Sequence, residues 1–318
     1  MSVEAKAKAG PAETVETLSS VAGREDFLAT SDPALQESAD RGKAELLSYR
    51  ELYLLWERQQ WSTQELDFSR DRVDWHERIP PEERFARMYG LSAFFIGEQK
   101  VADELGPIMR AAPTEEQRIF LCTQIADEAR HVRFFDRFYG EVGVLDCADD
   151  LAARLRETEQ HLNESFGELF DGQLRPRVDR LAADPSDTET LVETITLYHM
   201  IIEGALALTG QHFIIDYNTE QGTLPAFVEG FGKVARDEHR HIAFGVRFLA
   251  DMAREDDRYR EAIQRTLADT LPIADGVLEP PWAESEEDWE RFGGASREET
   301  HAFAAQCLTR RLKVIGLT

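Results

Sequence analysis

Cysteine is almost missing from this chain of 318 residues: Cys122, Cys147 and Cys307 form an odd, widely spaced set. Neither a disulfide framework nor a cysteine-rich metal knuckle can be built from them. Positive charge is scarce as well. Lys and Arg number 36 against 61 Asp and Glu, leaving a formal net charge of −25, so nucleic acid and anionic membranes are disfavoured as partners. No run of 18 apolar residues occurs, which argues against a membrane span. The start, Met1-Ser2-Val3-Glu4-Ala5-Lys6, lacks the apolar stretch of a signal peptide. Strand-like alternation never persists. These absences leave an acidic, globular, all-α protein, expected in the cytoplasm.

What is present is helical periodicity. Residues 1–33 are rich in Ala, Glu, Ser and Thr and are expected to form a flexible N-terminal arm, with a single domain over 34–318. Pro80-Pro81 opens a helix to about Arg110, a second runs from Glu115 to Tyr139 and ends at Gly140, a third spans about Glu189 to Tyr217, and a fourth follows Pro225 to about Met252. Shorter helices are expected near 151–170, 257–270 and 297–314, the last opened by a capping box of Ser296 and Glu299. Pro176 and Pro185 are expected to break the chain, and Pro and Gly to fall between the long helices rather than inside them. Four helices of roughly 25 residues in two hairpins suit a four-helix bundle core.

Each long helix carries ionisable residues in its middle, where burial should exclude them. Asp127-Glu128-Ala129-Arg130-His131 and Asp237-Glu238-His239-Arg240-His241 share Asp, Glu, Arg and His at the same positions. Glu and His three apart project from one helix face, within reach of one ion. The spacing alone is weak: eight histidines should give about one such pair by chance, and a third, Glu298 with His301, is read as surface chemistry. The partners decide. Glu98 lies 14 residues before Ala112 and Glu128 15 after Pro113, while Glu203 lies 19 before Gly222 and Glu238 16 after it. In antiparallel hairpins each lone Glu therefore sits roughly level with a Glu-x-x-His pair. Four carboxylates and two imidazoles at one depth suit two metal ions, with open positions for dioxygen. A carboxylate network neutralised by Arg130 and Arg240 would be the metal-free alternative, but two guanidiniums do not balance four buried carboxylates.

With these residues in place, the chain resembles the ferritin-like dimetal-carboxylate proteins of the ribonucleotide reductase small-subunit superfamily over about residues 50–250. The segment Trp61 to Asp71, Pro81-Glu82-Glu83-Arg84 and Phe94-Phe95 also fit. The resemblance implies a ferritin-like four-helix bundle with flanking helices, and metal ligands Glu98, Glu128, His131, Glu203, Glu238 and His241. It matches Trp61 to a buried tryptophan and Asp237 to an aspartate that orients a histidine ligand and can link it to that tryptophan.

The superfamily's radical tyrosine would fall at position 135, where this chain has Phe135, and no tyrosine follows Tyr259. The chain is more similar to the ligand-binding oxidases, which hold manganese and iron and a long-chain fatty acid and form a tyrosine–valine ether cross-link. Their tyrosine lies five residues before the third-helix glutamate and their valine three after the first; here these are Tyr198 and Val101. The resemblance implies an Mn/Fe or di-iron oxidase that uses dioxygen on a bound hydrophobic molecule, as a homodimer. Other readings stay open: a different di-iron N-oxygenase or hydroxylase with His199 as an extra ligand, a reductase small subunit, or iron storage. Cys122 is expected in the core, and His76, His161, His212, His239 and His301 in surface or structural roles.

Overall fold

The computed structural model describes residues 46–145, 150–280, 283, 285, 287–289 and 294–317. The expected N-terminal arm lies outside the described residues. Among those described, the regular structure is entirely helical. The elements are α1 (Tyr49–Arg58), α2 (69–78), α3 (Pro81–Ala111), α4 (Glu115–Val142), α5 (Leu151–Glu159), α6 (164–183), α7 (Thr188–Gln221), α8 (Pro225–Glu255), α9 (Asp257–Val277) and α10 (Arg297–Ile315). Helices α3, α4, α7 and α8 form the bundle as two hairpins, α3–α4 and α7–α8.

The ends follow from local chemistry. Pro81 opens α3 with Glu82 and Glu83 in the first turn, where Pro lacks only an unused N–H and acidic side chains favour the helix dipole. Thr114 and Gln117 form a capping box at α4. That helix runs past Gly140 and ends only at Gly143, whose φ is +75°. Gly140 stays helical and makes room for the Arg154 guanidinium, which reaches Asp136. Helix α10 opens on the expected box, Ser296 with Glu299.

Helix α8 starts from strain. Leu224 precedes it with φ +52°, the one non-glycine in that region among the described residues, a conformation that costs roughly 1–2 kcal/mol. Two carboxylates of α2 offset it. Asp74 accepts from the Leu224 N–H at 3.0 Å, and Asp71 accepts from Ala226 and Phe227 at 3.0 and 2.7 Å. The segment that precedes the first long helix thus caps the last one of the bundle.

Proline and glycine do occur inside helices, contrary to expectation. Pro107 lies within α3 and Pro272 within α9. Pro176 sits in the first turn of Arg175–Ala183, continuous with a π-helical stretch Glu168–Leu174, rather than breaking the chain. The expected helix at 151–170 is two helices, separated at Asn163, which caps the second by accepting from Phe166. Helix α7 is π-helical over Thr196–Ala207. A Cβ at Gly204 would fall 2.7 Å from the His199 carbonyl, so glycine lets this wide turn close. A π turn holds more residues than an α turn, which takes up part of the mismatch between 19 and 16 residues to Gly222. By length and composition α7 could cross a membrane, yet 83% of its most apolar window is buried inside the protein.

Candidate metal centre

Two turns, one on α4 and one on α8, and one glutamate each from α3 and α7 meet at the bundle's middle. Glu98, Glu128, His131, Glu203, Glu238 and His241 are all buried. They form two groups that could each hold an ion, Glu98–Glu128–His131–Glu238 and Glu128–Glu203–His241. Glu128 spans both: its Oε2 lies 3.3 Å from His131 Nδ1 and its Oε1 3.3 Å from His241 Nδ1. Glu238 does the same from the opposite side, at 3.3 Å from His131 Nδ1 and 3.6 Å from His241 Nδ1. Glu98 belongs to the His131 half at 3.2 Å and Glu203 to the His241 half at 3.6 Å. The arrangement offers two bridging and two terminal carboxylates.

The far side of each imidazole faces an aspartate. His131 Nε2 lies 3.3 Å from Asp237 Oδ2, and His241 Nε2 lies 3.2 Å from Asp127 Oδ2. Each aspartate also accepts from an indole, Trp61 Nε1 to Asp237 at 2.7 Å and Trp56 Nε1 to Asp127 at 2.9 Å. The aspartates, not the glutamates, receive the arginines: Arg240 bonds Asp127 at 3.0 Å and Asp237 at 2.5 Å, and Arg130 sits 3.1 and 3.3 Å from the same pair. The arginine-neutralised alternative therefore fails, because both guanidiniums are already matched. An imidazole whose Nε2–H is held by a carboxylate presents a bare Nδ1 inward, the tautomer a ligand needs.

Burial is the largest influence on Glu98, Glu128, His131, Glu203 and His241. It pushes the Glu98 carboxyl well above the usual range despite His131, and pushes Glu203 up with help from Glu238. For Glu128 burial works the same way but is outweighed by His241 and His131, which hold it well below that range. Burial opposes charge on the histidines too, and is overcome, by Glu98 foremost at His131 and by Glu128 foremost at His241, so that both are held well above an ordinary histidine. Carboxylates that draw protons onto buried imidazoles draw cations equally. The donor set fits metal on a further count: Glu128 Oε2, Glu203 Oε2 and His241 Nδ1 are buried without a hydrogen-bond partner, an arrangement native interiors avoid unless another group satisfies them.

Tyr198 is fully buried, and its hydroxyl donates to Glu128 Oε1 at 3.3 Å. Burial and the surrounding carboxylates raise it well above an ordinary phenol. His199 points elsewhere. Its Nε2 lies 3.2 Å from Gln124 Oε1, and the Gln124 amide donates to Glu203 at 2.8 Å and Glu128 at 3.3 Å. Burial, then the charge on His241, push His199 down to about 3. A neutral His199 holding Gln124 in place is no member of either donor group.

An apolar cavity of about 120 Å³ opens onto the same carboxylates. Glu98, Glu203 and Glu238 form its polar end, Val101 and Ile202 stand beside them, and Phe166 and Phe170 stack at 4.4 Å along its wall. Glycines inside helices, Gly90 and Gly97 on α3 and Gly210 on α7, line it as well.

All six expected ligands, Tyr198, Val101, Trp61 and Asp237 thus lie at or around one centre. Trp56 and Gln124 escaped the sequence reading. Position Asp127, matching Asp237 in the repeated motif, was the signal for a second aspartate arm, but nothing in sequence tied Trp56 to it. Cys122 departs from expectation: it is exposed on α4, because the residues that face inward there are Leu121, Gln124 and Glu128. His301 of the third Glu-x-x-His pair lies 3.0 Å from Glu279 and 3.5 Å from Asp275, outside both donor groups.

Comparison with known proteins agrees with this geometry. The family model described as ribonucleotide reductase, small chain, matches residues 47–278. A tyrosine-to-phenylalanine variant of an R2-like ligand-binding oxidase with aerobically reconstituted Mn/Fe cofactor is 26% identical, with TM-score 0.73 over 86% of this chain and 94% of that one. A valine-to-isoleucine variant reaches TM-score 0.75 at 26% identity, over 86% of this chain and 95% of that one. Other solved variants under that name alter a glycine, the glutamate directly after it, and a valine three residues beyond that glutamate.

Proposed function

The chain belongs to the ribonucleotide reductase small-chain family, and from that premise we propose that it is a dioxygen-dependent Mn/Fe ligand-binding oxidase. It would act in the cytoplasm, as a homodimer, on a hydrophobic molecule such as a long-chain fatty acid. The observation that carries this reading is the apolar cavity that ends on Glu98, Glu203 and Glu238: an apolar ligand there meets the metal ligands directly. Gly97, Glu98 and Val101 also have the residue types and spacing of the glycine, glutamate and valine varied in the related oxidase.

Glu98, Glu128, His131 and Glu238 would hold one ion, and Glu128, Glu203, Glu238 and His241 the other. When bound, the metal pair supplies the reduction of dioxygen. The chain supplies the rest. Asp237 and Asp127 keep the two imidazoles in the ligating tautomer, Gln124 orients Glu203, and the apolar walls keep water from the reacting groups. Tyr198 lies one turn from Glu203 and donates its phenolic proton to Glu128, while Val101 lies one turn from Glu98 at the cavity's end. An ether bond between the Tyr198 oxygen and the Val101 side chain would form with loss of one hydrogen from each, two electrons and two protons that dioxygen accepts. Asp237 and Trp61 give a hydrogen-bonded route from His131 outward for electrons.

Peptide-mapping mass spectrometry after anaerobic Mn/Fe loading, with and without air, tests the reading. An air-dependent species joining the Val101 and Tyr198 peptides, two hydrogens lighter than their sum, is expected, and Tyr198→Phe abolishes it while sparing metal content. Unlinked peptides from protein carrying both metals would exclude this oxidase type. A reading with His199 as extra ligand finds no support, since that ring is engaged by Gln124.

A further inference from the structure

One large side chain stands in the α3 wall of the cavity. Its α3 wall consists of Gly90, Ala93, Phe94, Gly97, Glu98 and Val101, spaced by three and one so that they share a helix face. Gly90 is eight residues before Glu98, so this wall extends about 12 Å from the carboxylates at 1.5 Å per residue. Between those ends Phe94 is the one large side chain, a single turn from Glu98.

Its ring crosses to α7. A Cβ built on Gly210 would fall 2.7 Å from Phe94 Cζ and 2.8 Å from Cε2, so the ring tip rests on the backbone of the opposite helix. Both residues line the cavity and are half-buried. Behind it the ring meets Phe231 edge-on at 4.8 Å and stacks with Phe135 at 6.3 Å, and Phe135 and Phe231 are fully buried. Phe94 is therefore the partition between the cavity and a packed aromatic cluster, and Gly210 is the gap that lets it stand there. Interiors packed this densely leave the ring no free volume behind it.

We propose that Phe94, seated on Gly210, is the specificity-determining residue that restricts the cavity to narrow, unbranched apolar chains. The proposal rests on the reading of this site as one that takes a hydrophobic ligand. A methyl branch at the level of Phe94 must displace the ring into Phe231, and one methylene of misfit in an apolar pocket changes affinity by roughly 10–200-fold.

The test is a double-mutant cycle on Mn/Fe-loaded protein, with palmitic acid and the methyl-branched phytanic acid as probes, by calorimetry. Metal content and thermal melts check each variant. Wild type is expected to favour palmitic acid by roughly tenfold or more. Phe94→Ala removes that preference by admitting the branched acid. Gly210→Ala drives the ring into the cavity and weakens palmitic acid binding by roughly tenfold. In the Phe94→Ala background the Gly210→Ala change has no effect, because nothing remains for the new methyl to strike. An unchanged preference in Phe94→Ala, or an equal Gly210→Ala effect in both backgrounds, overturns the proposal while leaving the hydrophobic-ligand reading intact. Should Phe94→Ala fail to fold, Phe94→Leu and single Gly210→Ala carry the same comparison. Wild-type protein that holds both metals and binds neither acid overturns the parent reading together with this one.

Discussion

The two halves of the centre are alike on the outside and unlike on the inside. Outward, each histidine reaches an aspartate and each aspartate an indole, with distances within 0.2 Å between the arms. Arg130 and Arg240 tie the arms together. Inward, the symmetry stops. Glu203 is steered by Gln124, itself set by His199, while Glu98 is held by His131 alone among the described residues. Tyr198 reaches the oxygen of Glu128 that faces His241. The repeated Asp-Glu-x-Arg-His segments build a symmetric frame, and neighbours outside the repeat make its two positions chemically distinct. A mixed-metal pair requires that distinction.

The largest effect should come from a carboxylate that both halves share, and Glu128 belongs to both donor groups. Glu128→Ala is expected to take metal content towards zero, whereas Glu98→Ala should spare the His241 half; elemental analysis after loading reads both. Equal loss in the two variants would break the division into halves.

His199 serves one half only and gives a pH signature. It is pushed down to about 3 in the folded protein, against about 6.5 in an unfolded chain. Between these values only the unfolded chain binds the proton, so stability is full above about pH 6.5 and falls as pH drops towards 3. The span amounts to roughly 4–5 kcal/mol. Urea unfolding of metal-free wild type and His199→Gln across this range should show a shallower slope in the variant.

The outer arms sharpen the symmetric side of the comparison. Asp237→Asn and Asp127→Asn should each weaken metal binding at their own histidine by roughly 10–100-fold, read by competition with a chelator, and the two losses should be similar. The smallest effect is expected at the indoles. Trp56→Phe and Trp61→Phe each remove one hydrogen bond, worth about 1 kcal/mol in chemical denaturation, and a large excess for either would reveal a role beyond holding its aspartate.

Much of this was legible in one dimension. Glu98, Glu128, His131, Glu203, Glu238 and His241 stand out because ionisable residues in apolar helices contradict the pattern around them, and similar distances from turns place them roughly level. Trp61 and Asp237 came through resemblance. Trp56 did not, because its bond to Asp127 joins residues 71 apart through the packing of α1 against α4. Gln124 and its pairing with His199 were hidden for a similar reason: one turn before Glu128 a glutamine reads as any polar residue, and His199, which the spacing offered as an extra ligand, meets it from another helix. The helix end at Gly140 was misplaced because glycine inside a helix and glycine after one look the same until φ is known.

Sequence by itself determined the class of structure and the inventory of ligands, since helical period and the exclusion of unpaired carboxylates from apolar helices are local rules. Tertiary structure decided the rest. Which carboxylates bridge, which way each imidazole points, where Arg130 and Arg240 spend their charge, and how a row of glycines comes to line a cavity beside Phe94 depend on side chains from different helices meeting within a few ångströms, and no spacing along one chain encodes such a meeting.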